Sequence, residues 1–270
     1  MSLKYNESLM KIKLLALSVI ALAGSLAAAE TNITFQAGGG KYHFTMDSAV
    51  APDLSEWANT ELVPVVKEWY PKIVKLLPSD GFEANTNVTI RFRDNMRGTP
   101  ASAGGGRVNC NAEWFRKNLK GEAKGAVVHE LVHIVQEYGR ARRANPDATR
   151  TPGWIVEGIP DYIRWFLYEP QAKGAEITQR NLSRAKYDGN YRITANFLNW
   201  VVEKYDKQVI QKLNVAAREG KYAEELWKEY TGKTVQDLGD EWRKAHETRL
   251  GVSSPATSDA KAADSKGNNQ

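Results

Sequence analysis

The 270-residue sequence has a single cysteine, which excludes a framework of disulfide bonds within the chain. It has no internal repeat, and its composition is not that of a disordered, collagen-like or coiled-coil protein. The formal net charge of +5 is also small. Such a charge does not by itself indicate a nucleic-acid-binding protein, whose basic residues would form a stripe. We therefore expect no nucleic-acid partner.

Long apolar runs are also lacking. The run from Leu14 to Leu22 is shorter than the roughly 20 residues that a transmembrane helix needs. It follows two lysines and precedes the small residues Ala27–Ala29, which is the pattern of a secretory signal with its cleavage site. We predict a signal peptide over residues 1–29, cleavage before Glu30 and a secreted or periplasmic protein without a membrane partner. Because Met10 opens the same pattern, the nine residues before it are compatible with an upstream start codon.

The C-terminal residues 252–270 contain no aromatic residue, and no large aliphatic residue follows Val252. Such a segment cannot offset its ordering entropy by burying apolar surface, so we predict a disordered tail there. The remaining residues 30–251 have a length typical of one domain. We expect that domain to be a monomer.

Within this domain, patterns typical of strands come early and patterns typical of helices come late. The predicted elements are a hairpin around Gly38–Gly40, an amphipathic helix from Leu54 to Leu76, a strand over Asn87–Phe92, a second strand over Arg107–Asn111 after a glycine-rich loop, and helices from Gly121 onward. Pro64 and Pro71 should kink or split the first helix. Thr234 and Asp237 resemble an N-terminal capping pair for the last helix. The order predicts an α+β domain with a mainly helical C-terminal half.

The segment VVHELVHIVQ contains the motif His129-Glu130-x-x-His133. Residues four apart lie on one face of a helix, so both imidazoles can reach one Zn²⁺ ion, which needs a third protein ligand and an open position. Glu130 can then take a proton from water rather than bind the metal. The alternative is a helix that carries two partly buried histidines and no metal.

A second segment, TPGWIVEGIPDYIRWFL, places Glu157 and Asp161 four residues apart on another predicted helix. One carboxylate could complete the zinc site, and the other could hold the outer N–H of a ligand histidine. We favour Glu157 as the ligand because its longer side chain spans the gap between two packed helices, and Asp161 as the outer partner. The alternative is an acidic pair on the surface of an amphipathic helix.

These segments resemble the gluzincin metallopeptidases, and in particular the plant basic secretory protein family and its bacterial relatives, regarded as zinc endopeptidases. The similarity covers residues 51–250 and includes, in order, EWYPKIVKLLP, HELVHIVQ, WIVEGIPDYIRW and YRITANFLNWV. It implies a zincin-like fold, in which a small twisted sheet lies over the active-site helix. It further implies that His129, His133 and Glu157 bind zinc and that Glu130 is the general base. Pro160 departs from the family pattern, so the glutamate helix should begin nearby or bend there.

Further residues are candidates for the same site. Gln136 follows His133 by three residues, and it could hydrogen-bond a ligand or have a simple structural role. Tyr191 is a candidate to stabilise the oxyanion, because a neutral phenol can donate a hydrogen bond there. Tyr187, Tyr162 and Tyr168 are its competitors for that role.

For substrate binding we predict that Arg107, Val108 and Asn109 form the strand edge that pairs with an extended peptide. The loop between the two ligand helices, Gly139–Gly153, carries four arginines against one acidic residue. These arginines could favour substrates with acidic side chains, although a solvated loop is the simpler interpretation.

The sequence as a whole predicts a secreted zinc-dependent endopeptidase that acts on peptide or protein substrates. The alternative is a non-catalytic extracellular binding protein that retains a structural zinc site. Glu130 argues against that alternative, because a structural zinc site does not need this carboxylate.

Overall fold

A computed structural model describes residues 31–189 and 191–252 of the chain. The predicted signal at residues 1–29, its cleavage point before Glu30 and the predicted tail beyond Val252 lie outside the described residues. Those assignments therefore stay predictions.

Five strands of the described residues form one mixed sheet. They are β1 (Asn32–Ala37), β2 (Tyr42–Asp47), β3 (Asn87–Arg93), β4 (Ala101–Gly104) and β5 (Arg107–Asn111), in the spatial order β1-β2-β3-β5-β4. The β1–β2 pair is the predicted hairpin and is antiparallel. Strands β2, β3 and β5 run parallel, and β4 pairs antiparallel with β5.

Helices make up most of the rest of the described chain. They are α1 (Ser55–Trp57), α2 (Val63–Leu76), α3 (Ala112–Asn118), α4 (Ala123–Gln136), α5 (Gly139–Ala144), α6 (Gly153–Tyr162), α7 (Gln179–Leu182), α8 (Tyr191–Lys204), α9 (Val209–Arg218), α10 (Glu225–Thr231) and α11 (Val235–Leu250). A capping box between Thr234 and Asp237 begins α11, as predicted. The α+β class and the helical C-terminal half are thus confirmed.

The predicted long helix before β3 is split as its prolines suggest, but only at the first of them. A π-helical turn, Ala58–Leu62, separates α1 from α2. Pro64, which has no N–H to donate, follows this turn directly, where the hydrogen-bond pattern changes from π-helical to α-helical. The helix then continues through Pro71, because its apolar face is buried in the core.

The prediction that Arg107–Asn111 forms a free edge is wrong. This strand, β5, pairs with β3 on one side and with β4 on the other. The side chain of Val108 is fully buried, and Asn109 accepts a hydrogen bond from Arg91 Nε at 2.8 Å. The outer strand is β4, in the segment that the sequence indicated as a glycine-rich loop.

A tight turn produces this β4–β5 hairpin. Gly105 and Gly106 form its two-residue loop, and both have positive φ, at 55° and 76°. This is the conformation that two-residue hairpins favour and that glycine adopts most easily. Strand β4 itself reads Ala-Ser-Ala-Gly, without a β-branched or aromatic residue, and so gives no strand signal.

Helix α4 packs against β4, β5 and α2, while α6 packs against both α4 and α8. Apolar side chains from the sheet and from these helices form one continuous core. Within the described residues, no helix is both long and apolar enough to cross a membrane. The fold therefore places α4 between the sheet and the helical half of the domain.

Candidate metal centre

Helix α4 carries the motif His129-Glu130-x-x-His133, and its side chains are buried on nearly every face. His129 and Glu130 are each about 8% exposed. The helix ends at Gln136, and the next residue, Glu137, has a left-handed backbone with φ 47°. Because four residues make little more than one turn, both histidines point from the same side of α4.

Helix α6 brings Glu157 to these histidines. Glu157 Oε2 lies 3.3 Å from His129 Nε2 and 3.1 Å from His133 Nε2, and the two Nε2 atoms are 3.1 Å apart. The three side chains thus present one nitrogen or oxygen atom each to a common point, an arrangement that could hold a metal ion.

The other ring nitrogen of each histidine is engaged. His129 Nδ1 lies 2.7 Å from Asp161 Oδ1, and His133 Nδ1 lies 2.8 Å from Gln136 Oε1. Both partners are acceptors, so each Nδ1 carries the proton and donates it. In the neutral imidazoles, each Nε2 then presents a lone pair towards Glu157.

This donor set fits a tetrahedral zinc ion. Zn–N and Zn–O bonds of about 2.0–2.2 Å in a tetrahedron place neighbouring ligand atoms roughly 3.3–3.5 Å apart. The three observed separations of 3.1–3.3 Å come close to this value. With both imidazoles neutral, two nitrogen lone pairs and one carboxylate oxygen converge without a donor between them, and a cation at their centre would satisfy all three.

The carboxylates around the histidines favour positive charge in the same place. Burial opposes protonation of His129, but its hydrogen bonds with Asp161 and Glu157 outweigh this and raise its pKa to about 9. Burial likewise opposes ionisation of Glu157, but its hydrogen bonds with His129 and His133 prevail and lower its pKa to about 2. Glu157 is therefore an ionised acceptor.

Glu130 lies against the same centre without joining the three converging atoms. Within the described part of the chain its carboxylate has no hydrogen-bond partner, and it lines a cavity of about 780 Å³ together with His129, His133 and Glu157. Burial raises the pKa of Glu130, although the nearby His129 and His133 act in the opposite direction. A carboxylate with a raised pKa is suited to accept and return a proton near neutral pH.

Pro160 does not disturb this geometry. Helix α6 begins at Gly153, two turns earlier, and continues through Pro160 to Tyr162. The proline cannot donate to the carbonyl of Val156, four residues before it. Gln136 Nε2 donates to that oxygen instead, at 3.0 Å. Gln136 is thus both a partner of His133 and a structural link between the two ligand helices.

Gly158, which follows Glu157, lets α8 approach α6 closely. A Cβ atom at this position would lie only 2.3 Å from Thr194 Cγ2 of α8. A side chain there would push α8 away, and with it Tyr191 at the start of that helix. A glycine directly after Glu157 is therefore explained by the close packing of α6 on α8.

Tyr191 is the tyrosine of the four candidates that faces the metal centre. Its ring centroid lies 6.1 Å from that of His129, and its side chain lines the same cavity as Glu130. The charge of Glu157, followed by burial, raises its pKa, so the phenol stays protonated. Tyr187, Tyr162 and Tyr168 instead pack against Trp154, Phe166 and Trp69, respectively.

The family comparison agrees with this site. A family model described as a peptidase of plants and bacteria, BSP, matches residues 61–242, which is more than half of the chain. The chain belongs to this BSP family. Comparison with curated proteins gives no match. The resemblance inferred from the motifs is thus confirmed, and the matched BSP region contains both ligand helices.

Two parts of this BSP peptidase's cleft differ from the sequence prediction. Residues 99–103, which lead into β4 and include most of it, line the cavity beside His129 and Glu130. Arg107, Val108 and Asn109 do not line this cavity. The sequence pattern did not predict β4, because its small residues give no local signal for a strand.

Proposed function

We propose that the protein is a zinc-dependent endopeptidase that hydrolyses peptide bonds, and that it is secreted or periplasmic. The convergence of His129 Nε2, His133 Nε2 and Glu157 Oε2, with the Glu130 carboxylate in the same cavity, is the observation that carries this proposal. Membership of a peptidase family supports it. The compartment rests on the predicted signal at residues 1–29.

Zinc is the metal that this set of donors favours. Two imidazole nitrogens and one carboxylate oxygen are typical ligands of a catalytic zinc ion, which keeps one position open. When bound, zinc would polarise the scissile carbonyl and lower the pKa of the attacking water. Asp161 and Gln136 hold the two imidazoles in the tautomer that this ion requires.

The protein's own groups then move the proton and stabilise charge. Glu130 accepts a proton from the attacking water and passes it to the leaving amine. Tyr191 donates a hydrogen bond to the oxyanion that develops on the scissile carbonyl. Both side chains line the one cavity, so they can reach the same substrate bond.

Strand β4 provides the surface along which we expect the peptide to lie. It is the last strand in the sheet order, and Ala101, Ser102 and Ala103 face the cavity that holds Glu130. An extended peptide can hydrogen-bond to the free backbone groups of such an edge. A small sheet thus lies above the active-site helix, and on this arrangement we propose a zincin-like fold. We also propose that the enzyme is a monomer.

Digestion of unfolded casein tests the proposal. We expect the zinc-loaded protein to degrade casein and to lose this activity with a chelator. Glu130→Gln should retain zinc and lose about 10²–10⁴-fold in rate, because an amide cannot act as a base. Glu56→Gln, at an exposed glutamate, is the matched control and should keep the parental rate.

Parental activity in Glu130→Gln would contradict the mechanism. A protein that binds zinc but cleaves neither casein nor short peptides would instead support the non-catalytic binding protein. The zinc content of each preparation, measured alongside activity, separates a failed mechanism from a lost metal.

A further inference from the structure

Three arginines line a second cavity that adjoins the metal centre. This cavity, of about 700 Å³, shares His133 and Val156 with the cavity around Glu130. Its wall includes Arg142 and Arg143 of α5 and Arg150, all from the segment that joins helices α4 and α6. We call it the arginine pocket.

These arginines have no acidic partner among the described residues. Many other arginines of the chain do pair with carboxylates, for example Arg116 with Asp53 and Arg164 with Glu169. The one glutamate on the wall of the arginine pocket, Glu137, forms an ion pair with Arg140 at 3.8 Å and accepts a hydrogen bond from Asn85 at 2.6 Å. The pocket therefore has an excess of positive charge that the described part of the protein does not neutralise.

The loop that carries the arginines is held in a defined position. The backbone N–H and the side-chain hydroxyl of Thr149 both donate to the carbonyl of Gly220, each at 2.8 Å. A Cβ atom at Gly220 would lie 2.6 Å from Ala148 Cβ and 2.9 Å from Ala141 Cβ, so the two segments are in close contact. The guanidinium groups thus extend from an anchored backbone into the pocket.

We infer that the arginine pocket binds a carboxylate of the peptide substrate, within a few residues of the scissile bond. Guanidinium groups bind carboxylates with charge-assisted and often bidentate hydrogen bonds. The pocket opens beside His133, so a peptide lying across the metal centre reaches it directly. This inference rests on the proposed peptidase function and adds a preference for acidic substrates to it.

Two sources of carboxylate suit the pocket: an aspartate or glutamate side chain, and the C-terminus of the peptide. Four peptides separate them, in which one glutamate near the cleaved bond is kept or replaced by glutamine and the C-terminus is free or amidated. We expect the parental protein to cleave the acidic peptides roughly tenfold faster, in kcat/KM, than the neutral amidated one. Salt should reduce this ratio, because the arginines are exposed.

The decisive comparison is between two triple variants. Arg142→Ala/Arg143→Ala/Arg150→Ala should bring the ratio of acidic to neutral cleavage close to one. Lys75→Ala/Lys228→Ala/Lys244→Ala removes the same charge from exposed positions outside the arginine pocket and should keep the parental ratio. An equal ratio in the parent and the arginine variant would overturn the inference.

Binding measurements keep the test independent of catalysis. Fluorescence anisotropy with the same four peptides, carried out on Glu130→Gln with and without the three arginine substitutions, reports the pocket alone. Tighter binding of acidic peptides that disappears with the arginines supports the inference, even if no peptide is cleaved. Equal binding of acidic and neutral peptides by Glu130→Gln overturns it, even if the parental protein is an active peptidase.

Discussion

The side-chain oxygen of Gln136 lies 2.8 Å from Nδ1 of His133, three residues earlier on the same helix. The amide nitrogen of Gln136 donates to the carbonyl of Val156, which Pro160 leaves without its helical donor. One amide therefore orients a candidate zinc ligand and satisfies a backbone carbonyl of the helix that carries Glu157. The orientation of His133 and a hydrogen bond between helices α4 and α6 thus share one side chain.

Two substitutions of Gln136 separate these roles. Gln136→Leu loses both hydrogen bonds, and we expect a 10–100-fold loss in zinc affinity together with a lower melting temperature. Gln136→Glu can still accept from His133 but cannot donate to Val156, so it should retain more of the zinc affinity than Gln136→Leu. Competition with a chelator measures the zinc affinity of each variant, and thermal unfolding measures its stability. Parental zinc affinity in Gln136→Leu would show that His133 does not need this partner.

A second prediction concerns the two carboxylates of α6. Glu157 Oε2 lies within 3.3 Å of both Nε2 atoms, whereas Asp161 hydrogen-bonds to the outer nitrogen of His129. Glu157→Ala should therefore purify with little zinc. Asp161→Ala should keep most of its zinc, with a 10–100-fold loss in affinity or activity.

Metal analysis of both purified variants decides between the roles. Asp161→Asn is a useful companion, because its amide oxygen can still accept the hydrogen bond from His129 without the negative charge. If Asp161→Ala were the variant without metal, the assignment of ligand and outer partner would be reversed.

Most of this centre could be predicted because its signals are local. The spacing of His129 and His133 gives one helical face, and Glu157 lies in a recognisable motif of its own helix. The partners that complete the site are distant in sequence. The link from Gln136 to Val156 spans 20 residues. No periodicity of either helix indicates such a contact.

The order of the strands was harder to predict for a similar reason. Alternation in Arg107–Asn111 correctly predicts a strand, but it does not say which strands lie on either side. The neighbour β4 is built of small residues and follows from the Gly105–Gly106 turn rather than from any strand preference. The free edge was therefore assigned to the wrong strand.

A third prediction concerns Arg218, a buried arginine that supports the end of α4. It donates to the backbone carbonyls of Val135 and Gln136 at 2.9 and 3.3 Å, and to that of Leu77 after α2 at 3.1 Å. Positive charge is favourable at the C-terminal ends of helices, where such carbonyls lack partners. Its guanidinium also stacks on the ring of Phe82, 3.5 Å from the centroid.

Arg218→Met should lower the free energy of unfolding by about 2–4 kcal/mol, because several buried carbonyls lose a charged donor. Arg218→Lys keeps the charge but cannot reach all the acceptors, so its loss should be smaller. Denaturant unfolding measures the free energy of unfolding of both variants, and Arg142→Met provides a control at an exposed arginine. A change below about 0.5 kcal/mol in Arg218→Met would contradict this supporting role.

The last prediction concerns pH and His246 of α11. Its Nε2 lies 2.9 Å from Asn196 Oδ1, which also accepts from Trp242 Nε1, and its Nδ1 lies 3.2 Å from Arg249 Nη2. An arginine can only donate, so Nδ1 is the acceptor and the neutral ring satisfies both contacts. Burial, followed by the charge of Arg249, lowers the pKa of His246 from 6.5 to about 4.

Well above pH 6.5 the ring of His246 is neutral in the folded and unfolded chains and adds no pH dependence. As the pH falls from 6.5 to 4, the unfolded chain takes up a proton that the folded chain does not, so stability is lost. After allowance for solvent screening of this half-buried ring, we expect its titration to lower the free energy of unfolding by about 1–2 kcal/mol over this pH range. His246→Gln can still donate to Asn196 but does not titrate, so it should lose that much less stability than the parent between pH 7 and 4. Denaturant unfolding of both proteins at equal zinc content measures the difference, and parallel pH profiles would contradict the prediction.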